Sequence, residues 1–205
     1  MNPISIGREF VSAWALMASY PFDCLTILQA RIPRRFRRSR DAVILIHGNG
    51  GDRTNMLAMS VLLRLSGFDN IGFFTYSARQ SVEDSASQLA EMAAQIDGGE
   101  GVHFIGHSLG GTVARMAALR SESGRTRSLV TLGSPWWAGQ RSPDEVAIFG
   151  SDDPIVAPPR RDAFPDGMFK RMIVLRNTGH LAILHHDEAI RITLGELTAN
   201  RIAPP

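Results

Sequence analysis

Ser108, Asp153 and His180 lie far apart along this chain, yet their types together allow one kind of chemistry. A serine hydroxyl is a weak nucleophile at neutral pH. It attacks a carbonyl only when an imidazole takes its proton and a carboxylate orients and stabilises that imidazole. Ser108 sits in Gly106-His107-Ser108-Leu109-Gly110-Gly111, a G-x-S-x-G pattern between the apolar run Val102–Ile105 and a helix-forming run beyond Thr112. That setting raises the pattern above a chance match, because a serine on a tight strand-to-helix turn exposes its hydroxyl while flanking glycines admit close backbone approach. The helix start also aims free N–H groups at a developing oxyanion.

The acid and the base should follow strand ends, where the loops of a parallel sheet gather at one edge. Gly150-Ser151-Asp152-Asp153-Pro154 and Asn177-Thr178-Gly179-His180 both do so, and the order Ser, Asp, His is the one expected of such a sheet. Asp153 is read as the acid, with Asp152 serving the turn, and His180 as the base. Two N–H donors are needed for the oxyanion. Leu109, after the nucleophile, supplies one; Asn49, favoured over Gly50 in the loop His47-Gly48-Asn49-Gly50-Gly51, supplies the other. His47 is read as structural. His107, the variable residue of the elbow, is expected to point away from the base and is assigned to substrate contact. Trp136 and Trp137 are either packing residues or an apolar wall for an acyl chain. Met168, Phe169, Phe164 and Leu181 could border the pocket. His103 lies within a strand, and His185 and His186 are placed on the surface of the final helix. No metal-ligand cluster is visible, and the chemistry calls for neither metal nor cofactor.

The elements that must position these groups follow from periodicity. Ala42–Ile46 is apolar without alternation, as in a parallel strand covered on both faces. Further strands are expected at 71–76, 102–105, 129–132, 146–149 and 172–175, with helices at 53–65, 81–96, 109–120 and 181–197. Strands alternating with helices predict an α/β fold: a three-layer α/β/α sandwich on a mainly parallel sheet of about six strands. Residues 1–40 form an expected N-terminal helical extension and basic linker, and 41–205 the main domain.

The composition is that of an ordinary globular chain: 205 residues, 44% hydrophobic, 20% charged and a net charge of +2. Much of the basic character sits in one cluster, Arg31, Arg34, Arg35, Arg37, Arg38 and Arg40, so it does not mark a general nucleic-acid binder. The cluster follows an apolar stretch broken at Pro21, whose uninterrupted part is too short to span a bilayer of about 20 residues. An apolar segment beside a basic patch could instead hold the chain to an anionic membrane surface; a packed helical extension is the plainer reading. A lone Cys24 excludes an internal disulfide and argues for a reducing compartment, hence a cytoplasmic location, with secretion as the open alternative; peripheral membrane attachment goes with the membrane reading of residues 1–40.

Taken together, His47-Gly48-Asn49-Gly50-Gly51, the Ser108 elbow, Leu132-Gly133-Ser134-Pro135, Ser151-Asp152-Asp153-Pro154-Ile155-Val156 and Gly179-His180 resemble an α/β-hydrolase. The chain is most similar to the small, lidless bacterial triacylglycerol lipases and esterases, over about Asp41 to Leu197. The resemblance implies a Ser108–Asp153–His180 triad, with the oxyanion held at Asn49 and Leu109. It departs in the first 40 residues and at Asn49, where the lipase pattern carries an apolar residue. The expected activity is hydrolysis of short to medium acyl esters through an acyl-enzyme, acting on a small-molecule ester or lipid. Thioesterase or acyltransferase chemistry on the same residues is the alternative, as is a lipid-binding protein without catalysis.

Overall fold

Five consecutive apolar residues at Ala42–Ile46 can be buried only where helices cover both faces of a sheet, and all five have no exposed surface. The computed structural model describes residues 41–96, 101–121, 125–140, 142–160 and 168–201. The apolar N-terminal run with Cys24, the arginine cluster, Gly98, Gly99 and Phe164 lie outside them.

Among the described residues, six strands, β1 (Ala42–Ile46), β2 (Ile71–Phe74), β3 (Val102–His107), β4 (Thr126–Leu132), β5 (Glu145–Gly150) and β6 (Arg171–Leu175), form one sheet in the order β2-β1-β3-β4-β5-β6. Every neighbouring pair is parallel. The helices are α1 (Leu57–Leu65), α2 (Val82–Ala94), α3 (Leu109–Arg120) and α4 (Asp187–Ala199). Alternate residues of each strand serve opposite layers. Ala42, Ile44 and Ile46 pack with Phe104, Leu89 of α2, and Val113 and Ala117 of α3. Val43 and Leu45 pack with Met59 and Leu63 of α1, and with Ile192 and Leu197 of α4. The three-layer sandwich and the six parallel strands are therefore as the sequence predicts.

Local chemistry starts the helices. The Ser81 side chain accepts from the Asp84 N–H at 3.0 Å, and Glu83 and Asp84 sit in the first turn, where the helix dipole favours negative charge. Asp52 caps a 3-10 turn, Arg53–Met56, that feeds α1. The last expected helix differs in kind. The final helix is interrupted: a 3-10 turn spans Ala182–His185, His186 is extended, and α4 begins at Asp187. The His186 side chain accepts from the Glu188 N–H, so this residue caps α4 from outside it. His185 and His186 are half-buried, not on the surface of a continuous helix.

The strand order reverses between β1 and β3, because the chain runs first to β2 on one side and then returns to build the other. A crevice at the carboxyl ends of the strands opens at such a switch point. The loops that flank it carry His47–Gly51 and Ser108.

Candidate active site

Ser108 lies between β3 and α3 with φ 52° and ψ −127°. A non-glycine residue rarely adopts positive φ, and holding one there costs roughly 1–3 kcal/mol. The surroundings impose it: the Ser108 N–H donates to the Leu132 carbonyl at 2.9 Å, and its own carbonyl accepts from Gly111 at 3.0 Å. α3 then presses against the end of β1 so closely that a Cβ at Gly110 would fall on the His47 carbonyl oxygen. The turn thus leaves Ser108 and Leu109 half-exposed at the rim, between the buried His107 and Gly110.

Asp153 follows β5 and is 6% exposed. Its Oδ1 accepts from the N–H groups of Ile155 and Val156, both at 2.8 Å. That leaves Oδ2 for His180, whose Nδ1–H donates to it at 2.7 Å. The loops bearing the two are laced together. Ser151 N–H donates to the Leu175 carbonyl, Asp152 N–H to the Thr178 carbonyl, and Asn177 N–H to Ser151 Oγ. Gly133, at the end of β4, shows why this pair fits beside Ser108. Its φ is +54°, and a Cβ there would lie 3.2 Å from Asp153 Oδ2 and 3.4 Å from His180 Nδ1. Gly133 N–H is held by the Ile148 carbonyl at 2.8 Å. The three residues therefore share one rim of the sheet.

On the far side of Ser108, the loop after β1 is held by its own histidine. His47 Nδ1–H donates to the Gly48 carbonyl at 2.8 Å, while its Nε2 accepts from Tyr76 N–H at 3.4 Å. This pattern assigns the neutral tautomer with the proton on Nδ1. The Gly48 carbonyl also accepts from Gly51 N–H at 3.2 Å. A trans peptide points its N–H opposite to its carbonyl. Drawing the Gly48 carbonyl toward the ring thus turns the Asn49 N–H away from it. Tyr76 completes the clamp, with its ring stacked on His47 at 4.7 Å and its hydroxyl donating to the His47 carbonyl at 3.0 Å. Burial pushes the Tyr76 phenol well above its ordinary pKa, keeping it a donor.

His107 does not point away from the base. It is 3% exposed, its Nε2–H donates to the His180 carbonyl at 3.0 Å, and the two rings lie 4.8 Å apart. Burial first, and the neighbouring His180 second, push its pKa down to about 3. Trp136, like Phe169, packs against the cluster of Ala147, Phe149 and Val156, and its indole N–H donates to the Ala157 carbonyl at 3.1 Å. Trp137, set edge-on to it at 5.5 Å, is 57% exposed, and Ile155, two residues after Asp153, is 65% exposed. Met168 is buried and Leu181 half-buried. Beneath the Trp136 loop, Arg115 of α3 is fully enclosed. It donates to both carboxylate oxygens of buried Glu145 and to the Pro135 and Ala138 carbonyls. Tyr76 and Gly133 had no assigned function in the sequence. The first follows an ordinary strand, and the second has only the Gly-Ser-Pro turn after β4 as a signal.

The family model described as palmitoyl protein thioesterase matches residues 42–147, just over half of the chain. No curated protein sequence matches it. Among solved structures, it is similar to a hydrolase of the alpha/beta superfamily from Xanthomonas campestris pv. campestris. There the TM-score is 0.64 at 18% identity, over 78% of this chain and 99% of that one. Esterase PE8 gives a TM-score of 0.61 at 15% identity, over 80% and 94% of the two chains. The RedJ thioesterase from the prodiginine biosynthetic pathway of Streptomyces coelicolor gives 0.54 at 15% identity, over 78% and 90%. At these identities the structural likeness establishes the fold.

Proposed function

The chain belongs to the palmitoyl protein thioesterase family of α/β-hydrolases, and on that premise we propose that it is a serine hydrolase cleaving carboxylic esters through an acyl-enzyme. The observation that carries the reading is the 2.7 Å contact between His180 Nδ1 and a buried Asp153, at the rim where Ser108 is held in a strained turn. With Nδ1 committed to Asp153, the other imidazole nitrogen takes the proton of Ser108 as its oxygen attacks the ester carbonyl. The N–H groups of Asn49 and Leu109 receive the oxyanion. The alcohol leaves with the proton from His180, and a water activated by the same imidazole releases the acid from Ser108.

Only residues 139–144 separate Ala138 from β5, too few for an extensive lid over the site at this point. An open rim bordered by Trp137 and Ile155 favours short to medium acyl chains. A second reading, thioester hydrolysis, is favoured by the description of the matching family. The same residues would serve it, because both acyl donors pass through one tetrahedral intermediate. Residues 1–40, with their apolar run and the cluster of six arginines between 31 and 40, we assign to contact with an anionic membrane surface, which would set a cytoplasmic or peripheral location.

Hydrolysis of p-nitrophenyl butyrate tests the reading against Ser108→Ala. The wild type is expected to turn over and the variant to lose at least about 10³-fold. Extending the panel to longer acyl chains and to acyl-CoA separates ester from thioester preference. A wild type inert on every member, or a variant as active as the wild type, would overturn it.

A further inference from the structure

We propose that His107 is a positioning residue for the catalytic base, its imidazole tying the His180 backbone to the nucleophile elbow. The inference rests on the triad reading above and departs from a substrate-contact role. His180 follows β6, the exposed edge strand, at the end of a loop. Asp153 fixes its ring, but a ring can be aimed only as well as the backbone that carries it. His107 supplies that second constraint. It is the residue directly before Ser108, and its Nε2–H reaches the His180 carbonyl at 3.0 Å.

The chemistry of the ring supports a positioning function. A carbonyl only accepts, so Nε2 must carry the proton, and a neutral imidazole has one. Nδ1 is therefore bare, and it is buried with no hydrogen-bond partner. It faces Gly48, where an added Cβ would lie 3.1 Å from Nδ1 and 2.9 Å from the Ser108 Cβ. An unpartnered buried acceptor destabilises the fold, a penalty that leucine at this position would avoid. What histidine adds over leucine is the donated bond to His180. Its location, between Gly48 of the oxyanion loop and the ring of His180, sets the spacing of both around Ser108. Because burial keeps the ring neutral, it does not take the proton in place of His180.

The test compares His107→Leu, which loses the donor, with His107→Gln, whose amide can restore it. With p-nitrophenyl butyrate, His107→Leu is expected to lower kcat about 10- to 100-fold, with KM little changed, since an ångström of misplacement costs on that order. His107→Gln should recover most of the loss. The rate at which a fluorophosphonate modifies Ser108 should fall with kcat. The downfield proton resonance of the His180–Asp153 bond should broaden in the leucine variant and persist in the glutamine one. Should the leucine variant not fold, His107→Asn, too short to reach, replaces it in the comparison with glutamine. A wild-type kcat in the donor-less variant would overturn the inference. So would a loss confined to KM, which marks substrate contact, or a glutamine variant no better than the donor-less one. A wild type that hydrolyses nothing would instead sink the triad reading itself.

Discussion

At the scale of single residues, the site is organised by which atoms are already committed. Asp153 uses Oδ1 on two backbone N–H groups and Oδ2 on His180, so the carboxylate cannot rotate without breaking all three bonds. Asp153→Asn would keep the shape but present an N–H, or a poorer acceptor, to Nδ1. We expect kcat on p-nitrophenyl butyrate to fall about 10⁴-fold with the fold intact by circular dichroism, as expected when the imidazole is held in the wrong tautomer. The loop after β1, proposed above to receive the oxyanion, should depend on Tyr76 in a graded way. Tyr76→Phe keeps the stack on His47 and removes only the hydroxyl bond to its carbonyl. A fall in kcat of about 3- to 30-fold with little change in KM is expected, since one neutral hydrogen bond holding the loop contributes about 1 kcal/mol and oxyanion donors act only in the transition state. An unchanged kcat would remove Tyr76 from the account. The meeting of Asp153 with His180 was legible because each follows a strand in an open turn and their types suit one joint chemistry. The partner of His107 is a backbone carbonyl 73 residues away, and a carbonyl leaves no mark in a sequence.

At the scale of elements, α3 joins the Ser108 turn to the rest of the sheet. Its Arg115 is buried against Glu145, at the start of β5, and against the carbonyls of the loop that carries Trp136 and Trp137. Thr131 of β4 donates to the same carboxylate at 2.5 Å. Removing one charge strands the other in the interior, and the cost of breaking such a pair is about 3–5 kcal/mol. Glu145→Leu should therefore lower the urea midpoint sharply; a change below about 1 kcal/mol would mean that water reaches the pair. Sequence periodicity found the strands that are apolar throughout, because only a sheet covered on both faces can bury such runs. It missed the first residues of β4, Thr126-Arg127-Ser128, whose polar side chains hide the strand although the backbone pairs with β3. It also ran the last helix through His186, where a side-chain cap, not a change of hydrophobicity, sets the boundary.

At the scale of the whole molecule, two histidines are buried in neutral form at opposite ends of β3. His103 bonds Ser128 at 3.0 Å and lies 3.5 Å from Asp41, yet burial outweighs that carboxylate and pushes its pKa down to about 4. His107, at the rim that carries Ser108, is pushed down to about 3. A histidine with a depressed folded pKa takes up protons first in the unfolded chain. The stability these groups confer is complete above about pH 6.5 and declines as pH falls towards 4 and then 3, by up to about 1.4 kcal/mol per pH unit for each. Urea unfolding at pH 7, 5.5 and 4.5 should show that decline, and His103→Gln should flatten it. Parallel curves for the two proteins would contradict the assignment. Residues 1–40 raise a separate question of scale, since six arginines beside an apolar run can matter to where the whole enzyme works. Full-length protein with those arginines changed to glutamine is expected to bind anionic vesicles more weakly than the wild type, with its turnover of soluble ester unchanged.

The account turns on Ser108 being a nucleophile armed by His180, and covalent labelling reads that event without knowledge of the natural substrate. Intact-mass and peptide analysis after incubation with a fluorophosphonate should show one adduct, on Ser108, formed at least about 10³-fold more slowly in His180→Ala. No adduct on the folded wild type, an adduct on another residue, or equal rates in the two proteins would contradict it.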